Sequence, residues 1–72
     1  MEKFGWAFIG CGGIAHITAT ELVRTKDNEI VSAWNRTSEK ADKFVKKFGG
    51  TAYKTIEDAI NAPGVDGVYI AV

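Results

Sequence analysis

The chain has 72 residues, 46% of them apolar and 25% charged, with nine Lys/Arg against nine Asp/Glu. A formal net charge of zero argues against nucleic acid as the main partner, because a polyanion binder carries a basic excess. No run approaches the ~18 apolar residues of a membrane span, the opening Met-Glu-Lys-Phe-Gly-Trp lacks the basic and apolar regions of a secretory leader, and the lone Cys11 has no disulfide partner, so a cytoplasmic protein with a free thiol is expected.

In chain order, Phe4–Ile9 is a short apolar run without polar alternation, which suits a strand buried on both faces of a parallel sheet. A helix follows over residues 14–25, with Ala15, Ala19 and Leu22 on one face. Residues 29–34 form a second strand. Ala41, Phe44, Val45 and Phe48 then recur at helical spacing, with lysines between them and Gly49-Gly50 as the stop. Residues 51–53 make a weaker third strand. Thr55 caps a short helix carrying Ile56, Ala59 and Ile60, which Asn61-Ala-Pro-Gly64 terminates. Residues 68–72 form the fourth strand. Strictly alternating strands and helices predict an α/β protein: a Rossmann-type, doubly wound parallel sheet, partial, with four strands in the order 3-2-1-4 and three helices. A domain of roughly this size buries only ~60% of its unfolded surface. Residues 1–72 therefore read as the N-terminal part of a dinucleotide-binding domain, with the rest of that domain and a C-terminal substrate domain expected beyond residue 72.

The sharpest motif is Phe8-Ile-Gly-Cys-Gly-Gly-Ile-Ala15, which contains Gly10-x-Gly12-x-x-Ala15. Gly10 permits the turn out of the strand, Gly12 lets a pyrophosphate approach the backbone, and Ala15 allows close packing of helix on strand. The helix opens near Gly13 and Ile14, directing free N–H groups and its positive dipole end at the phosphates. Cys11 fills the variable position, where its backbone joins the cradle. Its place near a helix N-terminus also raises the reading of an activated thiol, although no histidine partner is placed beside it. A tight turn that binds nothing and a methyltransferase-type loop are the alternatives, the latter weakened because no acid precedes Gly10 in the strand. The missing Gly-Lys-Ser/Thr excludes a P-loop.

Some 20 residues past Ala15, where an acid would select NAD through its ribose hydroxyls, the chain has Asn35-Arg-Thr-Ser38. Asn35 does not repel a 2′-phosphate and can still bond to a ribose hydroxyl. The Arg36 guanidinium suits a phosphate; Thr37 adds a hydroxyl and Lys40 a charge. These residues predict NADP(H), with NAD as the alternative cofactor; Arg36 could instead be solvated or stack on adenine. His16, the only histidine, is expected to be a solvated or core-facing helical residue, with a phosphate contact as the sharper option. No second ligand pairs with it, so no metal is expected. Trp6 and Trp34 read as core residues, and Lys43, Lys46 and Lys47 as a solvated helix face.

Four stretches resemble one family: 6–15, the segment Ile30-Val-Ser-Ala-Trp-Asn-Arg-Thr-Ser-Glu-Lys-Ala41, Tyr53-Lys-Thr-Ile-Glu-Asp58, and Val65-Asp-Gly-Val-Tyr-Ile-Ala-Val72. Together they are similar to the N-terminal cofactor domain of the Gfo/Idh/MocA-type oxidoreductases. The resemblance implies reversible hydride transfer between NAD(P) and a hydroxyl-bearing carbon of a sugar, cyclitol or related alcohol. It also implies homo-oligomers formed through a second domain. Ala71 falls where that family's fourth strand approaches the cofactor through backbone. The family's catalytic lysine, in a Glu-Lys-Pro segment, and its assisting aspartate and histidine would lie beyond residue 72, so no catalytic residue is assigned within the chain. A non-catalytic, dinucleotide-sensing regulator on the same fold is the alternative.

Overall fold

The computed structural model describes residues 3–71. The elements run β1 (Phe4–Ile9), α1 (Gly13–Leu22), β2 (Asn28–Trp34), α2 (Ser38–Phe48), β3 (Thr51–Ala52), α3 (Ile56–Ile60) and β4 (Gly67–Ile70). The four strands form one sheet in the order β3-β2-β1-β4, every pairing parallel. Topology and element order are those the sequence predicts. Helix α1 ends three residues earlier than expected. Arg24 N–H donates to the Glu21 carbonyl at 3.3 Å, and Thr25 gives both its N–H (3.1 Å) and its hydroxyl (2.7 Å) to Leu22 O. The last turn thus tightens to i,i+3 bonds and the ladder stops. The end of the expected fourth strand, Val72, lies outside the described residues.

The strand pleat divides the core between two faces. Phe8 turns to α1 and α2, where it meets Phe44 and Tyr69 with ring centroids 5.2 and 4.9 Å apart. Cys11, Ala15, Ala19, Ile30, Ala33 and Ala41 complete this cluster. On the other face α3 covers β1 and β2, and the buried Ser32 hydroxyl donates to Ala59 O at 2.6 Å. A register shift lies between Trp6 and Ala7, which pair with Ile30 and Ser32 and pass over Val31. Because side chains alternate with period two, this extra residue lets Ile30 share the face of Trp6 while Ser32 shares that of Ala7. Helix α3 begins as its sequence requires: Thr55 Oγ1 accepts from Asp58 N–H at 3.0 Å.

Candidate dinucleotide site

The carboxyl ends of β1, β2 and β4 are tied together by backbone hydrogen bonds. Gly10 N–H donates to Trp34 O (2.7 Å), and Ala71 N–H donates to Ile9 O (2.9 Å). Gly10 has φ 104, a left-handed value that glycine adopts without strain; it sends the chain from β1 into the turn. Gly12 then caps α1 at φ −84, with no side chain satisfying the helix end. His16 N–H closes the first helical bond, onto Gly12 O at 3.0 Å. The N–H groups of Gly13, Ile14 and Ala15 therefore precede the ladder, and no acidic side chain sits in that first turn.

Two clefts flank this turn. The first, about 340 Å³, is lined by Gly10, Trp34, Asn35, Arg36 and Ala71. The second, about 270 Å³, lies between α1 and α2 and is lined by Cys11, Gly12, Gly13, His16, Lys40 and Lys43. The structure thus gathers eight of the eleven sequence-predicted site residues around the turn, divided between two openings. Ile14 exposes its side chain, Ala15 is packed in the core, and Thr37 is exposed as the residue preceding α2, outside both linings.

The wall between the clefts is a hydrogen bond. Asn35 Oδ1 accepts from Cys11 N–H at 2.9 Å, and Asn35 Nδ2 donates to Thr37 O at 3.2 Å. The side chain that could bond a ribose hydroxyl fastens the end of β2 to the glycine turn. The Cys11 N–H, expected in the phosphate cradle, is already engaged. Trp34 also departs from the expectation of a core residue: its Nε1–H donates to Lys54 O at 3.1 Å and its ring borders the first cleft. Lys43, read from sequence as solvated helix surface, borders the second. The usable signal was its three-residue spacing from Lys40, which puts both lysines on one side of α2.

His16 is held from two directions. Nδ1 lies 2.9 Å from Gly12 O, and since a carbonyl only accepts, that nitrogen carries the proton. The ring meets Phe44 and Phe48 edge-on at 5.3 and 5.5 Å. Cys11 is buried, with its thiol 3.6 Å from Trp34 O, and burial pushes its pKa up to about 11 from an ordinary 9.0. This is the opposite of an activated nucleophile. At pH 8 the thiolate population is about 100-fold below that of an exposed thiol, and alkylation by iodoacetamide should be slowed by about that factor until the chain unfolds. An alkylation rate equal to that of the denatured protein would refute the assignment. Because the folded thiol holds its proton more tightly than the unfolded one, its contribution to stability is intact below pH 9.0 and is lost as pH rises toward 11.

A glycine turn opening a helix at the carboxyl end of the first strand, in a sheet ordered 3-2-1-4, defines a Rossmann-type dinucleotide-binding unit. Residues 4–72 match the Gfo/Idh/MocA family, described as an oxidoreductase family with an NAD-binding Rossmann fold, and the chain belongs to that family. The chain is 37% identical over 71 residues to glucose-6-phosphate 3-dehydrogenase of Bacillus subtilis strain 168, covering 99% of this chain and 19% of that protein. An oxidoreductase from Desulfitobacterium hafniense DCB-2, provisionally assigned as NADPH-dependent, superposes with a TM-score of 0.92 at 28% identity, over 100% of this chain and 21% of that one. KijD10, a 3-ketoreductase from Actinomadura kijaniata crystallised with NADP and TDP-benzene, superposes at 0.87 and 25% identity, over 94% and 21% of the two chains. The chain thus spans about a fifth of the length of these relatives. Among the described residues no helix is long and apolar enough to cross a membrane, and no cluster of metal-ligating side chains occurs.

The fit of a dinucleotide is testable on the turn itself. A Cβ built on Gly12 or Gly13 meets no atom within 4 Å, and Gly12 has an unstrained negative φ. Nothing inside the fold requires glycine at either position. A backbone left bare beneath open space, at a helix N-terminus with uncommitted N–H groups, fits the approach of a pyrophosphate.

Proposed function

We propose that this chain supplies the pyrophosphate and adenosine-ribose site of an NADP(H)-preferring oxidoreductase. Its reaction moves a hydride between the nicotinamide and a hydroxyl- or carbonyl-bearing carbon of a sugar, cyclitol or related compound. The relatives that act on glucose 6-phosphate or a keto group support this substrate class. The groups that move the substrate proton are assigned to residues outside these 72, as are the substrate domain and the contacts of a homo-oligomer.

One observation carries the preference for NADP(H). Among the described residues no carboxylate lines either cleft, whereas Arg36, Lys40 and Lys43 do. An acid at this position would bond the free ribose hydroxyls of NAD and repel a 2′-phosphate; cations reverse both effects. The chain's own groups then have separate tasks. The first-turn N–H groups of α1 receive the pyrophosphate, the Asn35 bridge holds β2 against the turn, and the cations neutralise the monoester. When bound, the nicotinamide supplies or accepts the hydride.

Calorimetric titration of the full-length protein with NADPH and NADH tests this reading. NADPH should bind about tenfold more tightly or better, the gain expected from one charge-assisted hydrogen bond. Equal affinities would overturn the preference, and failure of both to bind would overturn the dinucleotide assignment.

A further inference from the structure

We propose that Thr18 and Tyr69 form a positioning pair for the cofactor, their shared hydrogen bond fixing where the amino end of α1 stands against the carboxyl ends of β1 and β4. The inference rests on the dinucleotide reading above and adds two residues that line neither cleft. The two hydroxyls, 51 positions apart in the chain, lie 2.9 Å from each other, and either can donate. Among the described residues this is the one side-chain hydrogen bond from α1 to a strand or to another helix. The side chains of His16 and Thr20 bond to the carbonyls of Gly12 and His16, and Glu21 bonds to Arg24, all within the helix or at its ends. The seam beneath α1 does little to fix the helix along its own axis. Its fully buried residues are Ala15 and Ala19, and methyl groups allow close approach without the deep ridges and grooves that lock a helix in register. Leu22 packs at the far end, and His16 rests edge-on against Phe44 and Phe48 of α2. Apolar contacts of this kind tolerate sliding better than a hydrogen bond does.

Tyr69 is a firm reference point for that bond. It pairs in register with Phe8 across β4 and β1, and the two ring centroids are 4.9 Å apart. A tyrosine has only two side-chain torsions, so a stacked ring leaves its hydroxyl little freedom. Both strands reach the site two residues later, at Gly10 and Ala71, which line the first cleft. On the helix, Thr18 lies one turn beyond Ile14, whose N–H is among the uncommitted donors of the first turn. The bond therefore joins the anion-receiving end of α1 to the strand ends that border the first cleft. A slip of α1 by the rise of one residue would move those donors by about 1.5 Å, whereas a binding constellation must be held within about 0.5 Å. The pair acts on the cofactor through the helix.

The test compares Tyr69→Phe, Thr18→Val, the double variant and Thr18→Ser with the wild-type full-length protein, each titrated with NADPH and NADH. Tyr69→Phe keeps the ring on Phe8 and Thr18→Val keeps the branched shape, so the hydroxyls alone are lost; a circular dichroism melt checks folding. Each single variant should weaken NADPH and NADH alike by about tenfold, the scale of one hydrogen bond to a charged group. The double variant should bind no more weakly than either single one, because both remove the same bond. Thr18→Ser, which keeps a hydroxyl, should restore the affinity. The inference is overturned if the variants melt lower and bind both dinucleotides as the wild type does, since the pair would then serve stability alone. Loss of one cofactor only also overturns it, because the pyrophosphate is common to both. Additive losses in the double variant, or no rescue by Thr18→Ser, overturn it by showing that the two hydroxyls do not act through one bond. In all these cases the wild type still binds its dinucleotide, which separates failure of this inference from failure of the proposed function. A wild type that binds neither NADPH nor NADH removes the function and the inference together.

Discussion

Replacing Gly5 with alanine should cost the protein its fold, or about 3 kcal/mol of stability at the least, as severe overpacking does. Gly5 is buried in β1, and a Cβ there would collide with the carbonyl oxygen of Gly64 and come within 2.7 Å of Val31 Cγ2. Neither neighbour can easily yield. The Gly64 carbonyl belongs to the backbone of the turn between α3 and β4. Two hydrogen bonds hold that segment to Gly5 itself: Gly5 N–H donates to Asp66 Oδ2 at 2.8 Å, and Asp66 N–H donates to Gly5 O at 2.7 Å. Backing the turn away to admit a methyl group breaks both bonds, one of them charge-assisted. Total stability of ordinary domains is about 5–15 kcal/mol, so the loss would consume a large part of it. The readout is soluble yield and a thermal melt against wild type, with Gly13→Ala, whose Cβ enters open space, as the control. A Gly5→Ala protein that melts within a degree of wild type would show that the turn relaxes freely.

Gly5 also marks a limit of sequence reading. Within the chain it is one small residue in an apolar strand, and nothing local distinguishes it. Its cause is Gly64, fifty-nine positions later. Features with local causes were legible: the helical spacing of Ala41, Phe44 and Phe48, the cap at Thr55, and the turn at Gly10. The strand order was legible too, because alternating elements and parallel crossovers leave few topologies. Apart from the early end of α1, which its own i,i+3 bonds set, the divergences come from tertiary partners. The bulge at Val31 interrupts a period-two pattern that a short apolar run cannot display. From its position along the chain, Asn35 can bond to a ribose hydroxyl. The structure brings Cys11 N–H to its amide oxygen, 24 residues away. Cys11 was open to an activated-thiol reading from its helix terminus. Burial among Phe8, Ala15 and Phe44 sets its character instead. From the sequence Lys43 reads as solvated helix surface, because the charge pattern of α2 does not reveal the cleft that it borders.

Gly12→Ala should separate binding from stability. Gly12 has φ −84 and ψ −163, extended backbone open to any residue, and its Cβ would meet nothing within 4 Å. Exchanging glycine for alanine at a helix N-cap costs under about 1 kcal/mol, so the melting curve should barely move. Cofactor affinity should respond far more. The methyl group would project into the space that the first-turn N–H groups of α1 leave open to an anion. A pyrophosphate displaced from those donors loses hydrogen bonds and the favourable end of the helix dipole together. A loss on the order of 100-fold, about 2.7 kcal/mol by the affinity scale, is expected for NADPH and NADH alike, because both carry the pyrophosphate. If Gly12→Ala instead lowers the melting temperature steeply and leaves affinity unchanged, the glycine serves the fold and the pyrophosphate lies elsewhere. Loss of NADPH binding alone would place the monoester over the turn and the pyrophosphate beyond it.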